Sequence, residues 1–428
     1  MLAPSSGRTF RISLIEPRHD IHKARGNMRL LRFTVLILSS LLSVVASLAT
    51  DSARVIVFPL ECQTDVESLA WLGEGIAISV SKQIRTSKVD PVGRNQRTWL
   101  IRQSGLPGNV LLSRASMIGI AQRASADWIV MGAVAGTEDN LRITVKALDV
   151  RALKLSGDIV ANGPLAALPQ MENELAWLIL NNTGLDEAVT RERFQTRTRK
   201  APNFAYRQFV QGLGAVRAKD RLQMLLEAVE SHDDFPEAQL ELGRLYFQKG
   251  DCASAMPHLL FVPSQDGAFL EGEFIRGICS LRGNLPDMAA NAFLNLLSFC
   301  HSFEILNNLG VAYLHEGEFN AARETLRESK RLAPTDATVS LNLALVLHME
   351  ERDSEALKVL EEATSIHRGD GMLQFLAGSL MKAQGRDDGA EEAINNARNL
   401  DIDVDSIEAQ DPKEWARVFS NWDYAWTF

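Results

Sequence analysis

Apolar and small positions return at an almost fixed step along the second half of the chain. Gly243, Gly277, Gly310, Ala344 and Gly378 are separated by 34, 33, 34 and 34 residues. An alanine follows each of them 12 positions on: Ala255, Ala289, Ala322, Ala356 and Ala390. A large apolar residue comes four positions later: Leu259, Phe293, Leu326, Leu360 and Ile394. A period of this length predicts stacked helical hairpins, about five to six of them, over residues 203–402. Stacked hairpins form extended binding surfaces, which lowers the expectation of an active site.

A different pattern fills residues 51–185. Arg54 to Leu60 is a short apolar run ended by proline, as in a buried strand. Leu69, Leu72, Ile76, Val80 and Ile84 then fall at helical spacing. Val89 to Val92 predicts a second strand, and residues 93–112 read as loop. Ser113 can cap a helix with Met117, Ile118, Ile120 and Ala121 on its apolar face. Trp128 to Val134 and the alternating Leu141 to Ala147 predict two strands around a turn at 136–140. A return strand over Leu153 to Val160 and a helix over Leu168 to Leu180 complete a mixed α/β sheet with flanking helices. Residues 186–202 read as a linker.

Residues 1–49 read as a leader. Arg29 and Arg32 precede an apolar core from Phe33 to Val45, and Ser47-Leu48-Ala49 supplies small residues for cleavage. This predicts a signal peptide at 28–49 and a periplasmic or otherwise exported protein. An uncut anchor is the alternative, and membrane contact is expected only through it or through a partner. Met28 competes with Met1 as the initiator.

The formal charge is −9 overall, and residues beyond 49 hold 38 Lys and Arg against 52 Asp and Glu. So acidic a body has no bulk attraction for nucleic acid. Cys62, Cys252, Cys279 and Cys300 form no metal-binding spacing. They read as packed thiols, with a Cys252–Cys279 pair in adjacent repeats as the sharper alternative. Gly73-Glu74-Gly75 lacks the third glycine and spacing of a phosphate loop and reads as a helix start close to the sheet. No nucleophile elbow, zinc-protease helix or Walker motif occurs, so no enzyme, cofactor or metal is expected.

The units carrying Leu242-Gly243, Tyr246, Gly250, Ala255, Leu259 and Leu309-Gly310, Tyr313, Gly317, Ala322, Leu326, Pro334 resemble tetratricopeptide repeats. Arg276 and Ser280 depart from that pattern, and Pro257 should kink or delay a second helix. Val55 to Pro59, Trp71 to Ile76, Ile120 to Val134 and Leu141 to Asp149 resemble the amino-terminal domain of TolB-like and FlgO/CsgG-like proteins. Phe58-Pro59 and the stretch Arg151 to Lys154 depart from it. That resemblance implies a non-enzymatic assembly or interaction domain.

The tetratricopeptide resemblance implies a groove lined by first helices. It would include Leu240, Arg244, Phe247, Gln248, Phe274, Ile278, Leu281, Arg282, Asn307, Val311, Leu314, His315, Leu341, Leu345, His348 and Met349. The alternative for many of the apolar ones is packing against neighbouring helices alone. Arg244 and Arg282 are the cations expected to pair acidic groups of a partner without a stabilising role. Residues 403–428, with Trp415, Trp422 and Trp426, read as a capping helix from about Pro412. An exposed partner motif at Tyr424 to Phe428 is the alternative. The expected function is an exported adaptor that binds a protein or peptide segment in the groove, in envelope or surface-organelle assembly. The alternatives are a regulatory module that self-associates through its α/β domain and a structural envelope component.

Overall fold

The backbone alternation at Val55-Ile56-Val57-Phe58 dictates a sheet covered on both faces. Val55 and Val57 enter one apolar core while Ile56 and Phe58 enter another. The computed structural model describes residues 52–64, 66–106, 111–262 and 269–419. The leader at 1–49 and Trp422, Tyr424, Trp426 and Phe428 lie outside them.

The sheet runs β3 (Val89–Pro91), β1 (Ala53–Val57), β4 (Trp128–Thr137), β5 (Asn140–Asp149), β6 (Lys154–Leu155). β2 (Glu61–Gln63) also pairs with β4, and β7 (Ile159–Gly163) with β5. β1 is parallel to β3 and β4, whereas β4 and β5 form an antiparallel hairpin with Thr137 opposite Asn140. Helices α1 (Leu72–Gln83) and α4 (Leu168–Thr183) cover one face. Helices α2 (Arg94–Gln103) and α3 (Arg114–Arg123) cover the other.

Helix α2 falls where the sequence predicted a loop. Its stretch RNQRTWLIRQ has no apolar stripe, so periodicity gives no signal. It is held by Leu100 and Ile101, buried in the core shared with α3, and by Arg97, which is buried and donates to the Val57 carbonyl at 2.7 Å and to Glu74 at 2.6 Å. Gly73 acts as expected of a helix start against the sheet: a Cβ there would lie 2.1 Å from the Leu60 carbonyl oxygen.

The predicted linker is packed. It contains α5 (Arg191–Gln195), whose Phe194 is buried in the core shared by α1, α4 and the first repeat. That repeat comprises α6 (Asn203–Gly214) and α7 (Ala218–Ser231), and its Tyr206, Phe209 and Leu225 join the same core. A polar seam runs through it. Buried Glu172 accepts from Ser79 at 2.8 Å and Arg199 at 3.1 Å. The Arg199 guanidinium lies 4.0 Å over the Tyr206 ring, and the Tyr206 hydroxyl donates to the Gly75 carbonyl. Burial pushes the Glu172 carboxyl up, with Arg199 and Ser79 opposing it.

Five further hairpins follow. They are α8 (Pro236–Gln248) with α9 (Cys252–Leu260), α10 (Phe269–Arg282) with α11 (Pro286–Leu297), and α12 (Phe303–Glu316) with α13 (Phe319–Leu332). Then come α14 (Ala337–Met349) with α15 (Asp353–Ile366), and α16 (Gly371–Ala383) with α17 (Asp387–Asn399). The recurring glycine meets the large residue 16 positions on. A Cβ at Gly310 would lie 2.5 Å from Leu326, and Gly243, Gly277 and Gly378 meet Leu259, Phe293 and Ile394 alike. A left-handed residue also recurs at the end of each first helix: Gly250, Asn284, Gly317, Glu351 and Gly385.

Pro257 lies inside α9, which spans 9 residues against 12 to 14 in the other second helices. Cys252 and Cys279 form a disulfide, with 5.2 Å between their Cα atoms. The paired alternative therefore replaces the packed-thiol reading at these two positions, because α9 and α10 bring the side chains together. Cys62 and Cys300 remain free.

The single capping helix expected over 403–428 is also revised. A short α18 (Val404–Glu408) covers the last repeat, with Val404 packed on Phe375, Ile394 and Ala397. A 3-10 turn at Pro412–Trp415 then leads into an extended strap, Ala416 to Phe419. Backbone contacts made by the strap, described below, outcompete a helical continuation.

Two outcomes are expected. Arg199→Ala strips buried Glu172 of its cation and should cost about 3 kcal/mol or more in urea unfolding, with Glu172→Gln restoring part of the loss. An unchanged midpoint would remove the seam as a structural tie. Thiol titration of denatured, unreduced protein should count two thiols, those of Cys62 and Cys300. A count of all four would exclude the bridge.

Candidate functional site in the inner groove

First helices line the inner surface of stacked hairpins. Most of the apolar residues expected there pack hairpins together instead. Leu240 is buried with Val262 and Ile275, and Phe274 and Ile278 are buried with Phe293. Leu314, Leu341 and Leu345 share one core, and Val311 is equally buried. Phe247, Leu281 and Met349 are half-buried and Gln248 is exposed. His348 holds Asp353 at 2.7 Å.

The expectation for Arg244 changes. Arg244 is committed within the chain: it pairs with Glu241 on its own helix and donates twice to Glu271 of α10, each at 2.7 Å. Burial opposes its charge, but the two carboxylates outweigh it and hold the guanidinium more firmly protonated than usual. Arg244→Glu would set a third carboxylate there and lower stability. Arg282 is exposed and lies 4.8 Å over the Phe247 ring.

Asn307 and His315 face a different feature, the strap. Asn342 of α14 pairs with a single strap residue twice. Its Nδ2 donates to the Arg417 carbonyl at 2.7 Å and its Oδ1 accepts the Arg417 N–H at 2.9 Å. Asn308 of α12 does the same for Phe419, with both bonds at 2.9 Å. Asn307 adds a bond to the Arg417 carbonyl at 3.1 Å and accepts from Asn342 at 2.8 Å. In an extended chain, residues two apart present their N–H and C=O to the same side. Successive repeats therefore each hold one alternate residue of the strap.

Side-chain contacts add selectivity. Arg417 donates to both oxygens of Asp370, at 2.6 and 2.9 Å. Phe419 meets Phe303 edge-on, with centroids 5.4 Å apart, and Trp415 meets Phe375 at 5.1 Å. Asp370 is fixed independently, because it caps α16 by accepting from the Met372 and Leu373 N–H groups. Burial would raise its carboxyl, but Arg417 and those N–H groups outweigh burial and hold it below the ordinary range. Burial lowers His315, with Glu414 and Asp411 of the strap opposing and Lys413 adding to the effect. A cavity of about 430 Å³ stays open beside Asp370 and Arg417.

The sequence reading missed Asn308, Asn342 and Asp370. A signal existed for the first two: they stand 34 residues apart at one repeat position, two before Gly310 and Ala344. A polar residue repeated at a position that is apolar in two other units (Ile275, Leu376) marks it for a polar partner. Asn342→Leu should speed amide exchange over Arg417 to Phe419 by about tenfold, the loss of one to two hydrogen bonds. Protection equal to wild type would reject the asparagine grip.

Residues 303–336 match the family described as tetratricopeptide repeat. A 132-residue stretch is 28% identical to human Protein O-mannosyl-transferase TMTC1, covering 31% of this chain and 14% of that relative. The crystal structure of MamA is 22% identical over 37% of this chain and 94% of its own, with a TM-score of 0.35. The structure of YrrB, described as a TPR protein with an unusual peptide-binding site, is 15% identical. It covers 44% of this chain and 98% of its own, with a TM-score of 0.36. The second half of the chain is thus a helical repeat array in which the unit at 303–336 matches a tetratricopeptide repeat and the hairpins on either side are built like it.

Proposed function

We propose that the protein is an exported, non-enzymatic adaptor that holds an extended segment of a protein partner in the inner groove of its repeats. The observation that carries this reading is the paired use of Asn308 and Asn342, which bond the main chain of one residue per repeat. Main-chain bonding suits an extended peptide, with neighbouring side-chain contacts supplying selectivity. Two features favour export to a periplasm-like compartment. One is the leader expected at 28–49, and the other is the Cys252–Cys279 bridge, since disulfides persist in oxidising compartments.

The sheet domain, in this reading, is TolB-like or FlgO/CsgG-like and takes part in envelope or surface-organelle assembly. Support comes from the ordered sequence blocks and from the mixed sheet that they form. Self-association through that domain is the second reading. The match to the human transferase covers 14% of its length, and no transfer chemistry is carried over to this chain.

The test uses the full chain, because the first repeat shares its core with the sheet domain. Partners recovered from envelope extract are cross-linked and mapped. Expected is a partner peptide linked to α12 and α14 that is lost with Asn308→Leu plus Asn342→Leu. A partner retained equally by that variant would refute groove capture.

A further inference from the structure

We propose that residues 411–419 are a resident stand-in for the partner. In that role they keep the groove closed until an extended segment with an arginine two residues before an aromatic displaces them. This rests on the groove reading above and deepens it, because the strap displays what the groove accepts. Three features of the strap carry the proposal.

The first is that the strap is bound in the manner of a ligand. Its main chain is held at alternate residues by Asn342 and Asn308 rather than by a hairpin or helix of its own. The second is that its side chains meet sites that exist without it. Asp370 is already oriented as the cap of α16, and Phe303 belongs to α12. An acid at one repeat and an aromatic ring two repeats earlier define a basic residue and an aromatic residue at positions two apart. The third is that the strap is releasable. Ala416 to Phe419 are half-buried rather than buried, and Asp411 and Glu414 are exposed. The ion pair is itself open to water, with Arg417 33% and Asp370 17% exposed.

A tethered occupant competes at high effective concentration. An incoming segment sees only the open fraction of the protein, so its apparent affinity falls by that fraction. Weakening the strap should therefore strengthen capture, the opposite of what loss of an ordinary structural element does.

A fluorescent nonapeptide copying residues 411–419 is titrated into the full chain and into full chains carrying Arg417→Glu alone or with Phe419→Ala. Circular dichroism confirms that the repeats remain helical. Expected is binding to the strap variants about tenfold or more tighter than to wild type. A peptide with Glu at the arginine position should not bind. Adding Asn308→Leu and Asn342→Leu to the released chain should abolish binding. Equal affinity for wild type and strap variants would overturn self-occupancy while leaving the groove as a binding site. Binding to none of the chains would overturn the groove reading itself. A wild-type dimer by light scattering that dissolves with Arg417→Glu would show the strap seated in a second copy, which overturns the intramolecular stand-in.

Discussion

The fit of one large apolar side chain against a glycine sets the geometry on which the repeat array depends. Leu326 reaches the backbone of α12 only because Gly310 has no side chain, and the same fit recurs at Gly243, Gly277 and Gly378. It draws the two helices of these four hairpins together, with Ala344 at the same position in the fifth, and helps set where the next first helix lies. The spacing of Asn308 and Asn342 across two repeats follows from it. A wider hairpin would move the two amides apart, and they would no longer match alternate residues of one extended chain.

The parts of the fold set by local periodicity could be read directly. Strands β1, β3, β4 and β5, the hairpins and the close approach at Gly73 follow from residues near one another in sequence, whereas β2 was not read and the return strand expected over 153–160 is two strands, β6 and β7. What escaped depends on contacts between distant residues. Helix α2 is tied down by buried Arg97 reaching the Val57 carbonyl and Glu74, contacts that no apolar stripe announces. Arg244 looks like a free groove cation until Glu271, one repeat away, is brought beside it. Between lining the groove and packing helices, the apolar groove residues stayed undecided for a related reason. A first helix is buried on two sides, so its apolar positions cannot reveal which side faces inward. The asparagines could have revealed it, since their burial demands partners. The partner proved to be a segment about 75 to 111 residues away in sequence.

The seam at Glu172, Arg199 and Tyr206 joins the sheet domain to the first hairpin without a flexible hinge. The stretch taken as a linker supplies Phe194 to the core and Arg199 to the seam, while most of its other polar residues are exposed. The disulfide between α9 and α10 ties the second hairpin to the third across the region shortened at Pro257. The array is thus reinforced near its beginning and left simpler in the repeats that hold the strap.

The course of the strap gives the groove a polarity. Trp415 meets Phe375 of the sixth hairpin, Arg417 meets Asn342 of the fifth, and Phe419 meets Asn308 of the fourth. The chain therefore runs against the order of the repeats that bind it. Having left the last hairpin at Asn399, it must reverse before Trp415 meets Phe375. A segment with free ends has no reversal to make. It would enter beside the last hairpin amino end first and leave toward the sheet domain, bringing whatever follows it in sequence nearer to that domain.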